Sequence, residues 1–193
     1  MSDLLDSSLR DFLDKLADGE PAPGGGSAAA IAVAMAAGLV AMVARASTNW
    51  DEAGGVVGQA EALRARVAPL AEADAEAYEK ALATLRGREI LEERYRDFEL
   101  RRALERSAEI PLKIAEAGCD LASLAALLVE NGNPEVRADA AAAAVLAEGG
   151  TRAAAKLVAV NLGTTPGDPR VRHVDSLVEI AAEASARALA AAQ

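Results

Sequence analysis

Asp74 and Tyr78 stand four residues apart in an alanine- and glutamate-rich stretch. A helix there sets a carboxylate and a phenol on one face, as acceptor and donor towards the edge of a bound heterocycle or a catalytic water. The surrounding Glu72, Glu76 and Glu79 also read as an ordinary charged helix surface. A second acid, Asp139, falls within two turns of a helix start signalled by Asn131-Gly132-Asn133-Pro134, because asparagine caps well and proline suits the first helical position. A carboxylate in a partly desolvated pocket has its pKa raised towards neutrality, which fits it for general-base work. Beside Arg137, Asp139 reads equally as a solvated surface acid. His173 is the only histidine. Its position ahead of the last helix favours a surface or capping role over a catalytic one.

The stretch Pro21-Ala22-Pro23-Gly24-Gly25-Gly26-Ser27 must be a turn, since proline lacks a donor and glycine forfeits backbone entropy inside a helix. Ser27 is placed to cap the alanine-rich run behind it. Such a start presents unpaired N–H groups and a partial positive charge, a setting for an anionic or polar ligand, although three glycines also serve simply to let two helices cross closely. The lysine and strand context of a nucleotide loop is missing. Asn161, near a helix end among apolar neighbours, is read as either a substrate contact or a backbone cap. Lys113, on the turn after Pro111, reads on its own as a surface lysine paired with Glu116.

The elements that must position these groups are helices. With 193 residues, 52% hydrophobic content and only 3% aromatics, the chain suits one domain over residues 1–193, an all-α bundle of long, partly kinked helices around the alanine-rich run from Ala28 to Ala44. Thirty acids against twenty bases repel nucleic acid and anionic lipid, so neither is expected as a partner. A single cysteine, Cys119, excludes an intrachain disulfide and a cysteine-rich metal site and fits a cytoplasmic setting. The acidic start Met1-Ser2-Asp3-Leu4-Leu5-Asp6 is not a signal peptide. The Ala28 to Ala44 run approaches a membrane span in length, but alanine and glycine contribute little transfer energy, and it reads as a buried helix.

In chain order, Ser7 or Ser8 caps a short helix carrying Phe12 and Leu16, and Gly19 stops it. A helix from Ser27 to about Ala46 follows, apolar on every side. Val57 to Leu85 reads as one long helix kinked at Pro69 and ended by Gly87. Leu91, Tyr95 and Phe98 mark one face of the charged segment that follows. After Pro111 the chain either starts a new helix or bends sharply, and Gly149-Gly150 is a candidate bend in the helix running to Asn161. Val174, Leu177, Ile180 and Ala181 define a last amphipathic helix.

These pieces together resemble the formiminotetrahydrofolate cyclodeaminase and methenyltetrahydrofolate cyclohydrolase family. The resemblance is carried by Phe12-Leu13 leading into Pro21 to Ser27, by Asp74-Ala75-Glu76-Ala77-Tyr78, by Ile110-Pro111-Leu112-Lys113, by Gly132-Asn133-Pro134 with Asp139, and by Val160-Asn161-Leu162. It implies a helix bundle, usually a homodimer, acting on the bridge carbon between N5 and N10 of tetrahydrofolate, with no metal and no cofactor beyond that folate substrate. It implies Asp139 foremost, and Asp74, as catalytic acids. Pro23, Gly24, Gly25, Gly26, Ser27, Tyr78, Lys113 and Asn161 are implied to bind substrate, Lys113 meeting a folate carboxylate. Two places depart from the family pattern. The acidic Trp50-Asp51-Glu52 stands where basic residues are usual, and Leu157 where an asparagine is. Hydrolysis of the methenyl bridge is the expected reaction, with formimino deamination and a non-catalytic folate-binding role as alternatives.

Overall fold

The computed structural model describes residues 4–20, 22–86, 93–163 and 165–192. Its helices are α1 (Leu9–Ala17), α2 (Gly25–Ala46), α3 (Ala53–Val67), α4 (Leu70–Arg86), α5 (Glu93–Ser107), α6 (Glu109–Asn131), α7 (Arg137–Asn161) and α8 (Pro169–Ala191). No strand occurs among the described residues, and the expected all-α class stands. Pro21, Gly87 and Leu91 lie outside the described residues, as does the side chain of Tyr95, so the readings made on them stay at the level of sequence.

Local chemistry accounts for the boundaries. Ser8 caps α1 by accepting from the Asp11 N–H at 3.1 Å, and Gly19 takes the left-handed φ of +82° that ends it. α2 begins two residues earlier than expected: Gly24 is the N-cap in an extended conformation, and Ser27 lies inside the first turn. The run of glycines permits this early start, and the Ser27 hydroxyl instead donates to the Ala71 carbonyl at 2.7 Å, tying α2 to α4. The expected long helix through Pro69 is two helices, because a proline offers no donor and crowds the carbonyl four residues back. Pro111 sits in the first turn of α6, where its missing N–H costs nothing, so the new-helix alternative is the one realised. Asn133 accepts from the Glu135 N–H and donates to the Ala46 carbonyl, while its own N–H meets Ser47 Oγ at 2.8 Å. This knot joins the end of α2 to the start of α7.

α2 packs against α3, α6 and α7, and α6 against α7 and α8. α6 and α8 run in the same direction, since Glu116 meets His173 and Glu130 meets Arg187 at the same 57-residue offset. The core is dominated by small side chains, including Ala30, Ala36, Ala37, Ala122, Ala144 and Ala147, with Ile114, Leu121, Leu128 and Val33 among the largest fully buried groups. α7 is unbroken through Gly149-Gly150, where a bend was the candidate reading. Gly150 instead makes room for a crossing, as a Cβ there would overlap Val33 Cγ2. Gly150→Ala is therefore expected to destabilise the protein by about 1–3 kcal/mol, read as a lower urea midpoint at unchanged slope. The neighbouring Gly149, with open space around it, serves as the control.

The burial of α2 is incomplete. Met35 and Met42 are 51% and 38% exposed, so one strip of a helix that is apolar all round faces outward. By length and composition α2 could cross a membrane, but 56% of its most apolar window is covered by the other helices.

Candidate active site

A cavity of about 330 Å³ opens where the start of α2, the middle of α4, the α5–α6 junction and the end of α7 converge. Its polar lining consists of the Gly24 to Gly26 backbone, Asp74, Tyr78, Ser107 and Asn161, and its walls include Ala75, Pro111, Leu157 and Val160. Four sequence segments, the first including Ala22 and the last Asn161, thus supply one site.

Asp74 is the only carboxylate on that lining among the described residues. The second turn of α4 carries it under the α2 start, where the Ser27 backbone N–H favours its charged form. Gly26 is required by this approach, because a Cβ there would overlap both carboxylate oxygens. Burial pushes the Asp74 carboxyl above its ordinary range, and the Ser27 N–H opposes that rise only partly. A helix start normally favours an anion. Here desolvation outweighs it, leaving a carboxylate more basic than a solvated one.

Asn161 donates through Nδ2 to the Ser107 carbonyl at 3.1 Å, which realises the backbone contact foreseen for it and fixes the amide at the cavity wall. Tyr78 lies on the rim, 46% exposed, one turn after Asp74 on the same face. Gly24, Gly25 and Gly26 border the cavity as expected. The Ser27 side chain does not reach it, because its hydroxyl is engaged by Ala71. Pro23 is buried on the far side of the turn, in an adjoining recess with Glu72 and Glu79.

The remaining expected residues are elsewhere. Asp139 is exposed in the first turn of α7. Eighteen residues separate it from Leu157, about 27 Å along a helix rising 1.5 Å per residue, so the structure does not bring it to Asp74. Lys113 lines a different recess, of about 770 Å³, with Arg66, Asp120 and His173. Its anticipated partner Glu116 pairs with His173 at 3.2 Å instead. Trp50 lies beyond the C-terminal end of α2, in a polar recess with Ser47 and Asn133 and at the opposite end of the helix from the glycine turn. Sequence reasoning missed Ser107, which carries no local signal because it joins the site only where α5, α6 and α7 converge. Ala75, Pro111 and Val160 were quoted only as motif residues and Leu157 only as a departure, none as a wall of the site.

A family model described as formiminotransferase-cyclodeaminase matches residues 8–179, most of the chain and every cavity-lining residue. The chain belongs to this family. Among its relatives, the methenyltetrahydrofolate cyclohydrolase of Methylorubrum extorquens is 32% identical over 163 residues, covering 80% of this chain and 78% of that one. The formimidoyltransferase-cyclodeaminase of Rattus norvegicus is 31% identical over 189 residues, which cover 91% of this chain but 35% of the rat protein. The crystal structure of formiminotetrahydrofolate cyclodeaminase from Thermotoga maritima superposes with a TM-score of 0.82 at 26% identity, over 97% of this chain and 96% of that one. Within the formiminotransferase-cyclodeaminase family the resemblance read from the sequence is therefore established.

Proposed function

We propose that this chain is a folate one-carbon enzyme that hydrolyses the methenyl bridge of 5,10-methenyltetrahydrofolate to 10-formyltetrahydrofolate. The observation that carries the reading is a basic, half-buried carboxylate, Asp74, facing a cavity whose other lining groups, among the described residues, are neutral. The bridge is an amidinium cation. Ionised Asp74 attracts it, accepts a proton from the attacking water as the C–O bond forms, and returns that proton to N5 as the C–N5 bond breaks. The second proton of the water leaves from the hydroxyl of the adduct to solvent as the formyl carbonyl forms, which accounts for the lost amidinium charge. Backbone N–H groups of the glycine turn and the Tyr78 hydroxyl are the donors available to the adduct oxygen. In this reading Asp74 takes the leading role that the family resemblance gave to Asp139.

Purified protein given 5,10-methenyltetrahydrofolate, at a pH where spontaneous hydrolysis is slow, should bleach the methenyl absorbance above background. Given the 5-formimino compound, it should generate no such absorbance. Appearance of methenyl product with release of ammonia would replace hydrolysis by deamination, and silence in both assays would sink the enzyme reading. A homodimer is proposed alongside, supported by the outward-facing Met35 and Met42 strip of α2, since a charge-free face is where two copies of an acidic chain meet with least repulsion. Sedimentation at micromolar concentration giving only monomer would refute it.

A further inference from the structure

The cavity sits between surroundings of opposite charge. On the α1 and α4 side it shares Ala22 and Ala75 with a recess of about 310 Å³ whose charged lining is Lys15 against Asp18, Glu20, Glu72 and Glu79. A carboxylate chain laid there would meet four acids and one base. On the α7 side, Val160 lines the cavity while 62% exposed, so it marks the rim. Lys156 precedes Val160 by four residues on the same face of α7 and is exposed. It has no ion-pair or hydrogen-bond partner among the described residues, whereas Arg152, one turn further back, is held by Glu148 at 2.6 Å. Among the described residues no lysine or arginine lines the cavity itself, so there the cation offered to carboxylates lying outside it stands at the rim.

We infer that Lys156 is the residue that receives the carboxylate tail of the substrate as it leaves the cavity over Val160. The inference rests on the folate reading above and deepens it. The two ends of the substrate are then sorted by charge: the cationic bridge lies towards Asp74 and the acid-lined recess, and the anionic tail lies towards α7. Lys113, in a recess that shares no lining residue with the cavity, takes no part.

The test compares wild type, Lys156→Ala, Lys156→Arg, Lys156→Glu and Lys113→Ala. Two readings are taken: turnover of 5,10-methenyltetrahydrofolate, and calorimetric binding of 5-formyltetrahydrofolate, which carries the same tail but needs no catalysis. An exposed charge pair accounts for a modest factor, so Lys156→Ala should raise KM and Kd about two- to fivefold with kcat within about twofold. Lys156→Arg should restore both, Lys156→Glu should raise them by about tenfold, and Lys113→Ala should match wild type. Unchanged KM and Kd in Lys156→Ala, or a rise confined to Lys113→Ala, would overturn the assignment. No turnover by wild type, with binding still weakened by Lys156→Ala, would reject the proposed reaction and leave the tail contact standing. Absence of any folate binding would reject both.

Discussion

Asp74→Asn should lower kcat by roughly 10²–10⁴-fold, the usual contribution of a positioned general base, while leaving the protein no less stable at neutral pH. The second half of that expectation follows from the direction of its pKa. Burial raises the carboxyl in the folded state above its value in the unfolded chain. Its contribution to stability is therefore complete below the ordinary carboxylate range and is lost as pH rises through the folded-state pKa. Asparagine never ionises and keeps a carbonyl oxygen towards the Ser27 N–H, so at pH 7 the variant should melt at or above the wild-type temperature. The difference should vanish below about pH 4, the ordinary aspartate range. The kinetics carry the same sign: wild-type kcat/KM should climb with pH through the raised Asp74 pKa, and that limb should disappear in the variant. A purely structural Asp74 would give the opposite pairing, lowered stability with activity falling only in proportion to unfolded protein.

Gly26→Ala should reproduce most of that loss without touching a titratable group. Two effects of an added methyl compete. In the first turn of α2 an alanine is favoured over glycine by about 1 kcal/mol. Its Cβ, however, would occupy the space of both Asp74 oxygens, and the short aspartate side chain can yield only by turning away from the α2 start. The expected result is an intact helical spectrum, stability within about 1 kcal/mol of wild type, and kcat reduced by about 10²-fold or more. The displaced carboxyl, no longer desolvated, should titrate nearer its ordinary range, moving the acid limb of the pH profile downwards. Gly25→Ala is the companion measurement, because its Cβ would meet only Leu157 Cδ1, at an ordinary contact distance of 4.0 Å. If both variants lost activity equally, the proposed role of Gly26 in admitting Asp74 would be wrong.

The glycine turn, the alanine-rich helix and the Asp74–Tyr78 pair were legible because each is written within a few consecutive residues and obeys local rules. Helix starts at Ser8 and Asn133 were legible for the same reason. Asp139 illustrates what was not: a good cap and a family likeness identify the segment, but only the path of α7 reveals that this segment and the glycine turn lie at opposite ends of the molecule. Ser27 shows a second failure. Its residue type suits a cap, yet the preceding glycines let the helix begin before it, and the hydroxyl found a long-range partner in Ala71 that no sequence window contains. Pro69 shows the inverse case, where the signal was seen and its strength underestimated.

The small-residue core sets how this chain tolerates sequence change. Where Ala30, Ala37, Ala144 and Ala147 are already fully buried, truncating a side chain removes at most one methyl, whereas enlarging one meets a neighbouring helix at once. Gly118 is the extreme instance, since even a methyl there would overlap Thr151 Oγ1 and crowd the Ala147 carbonyl. Vulnerability is therefore one-sided. A saturation scan of α2, α6 and α7 scored by the soluble folded fraction should show inward positions rejecting gains in volume far more often than losses, so that the architecture is preserved chiefly by what its residues leave out.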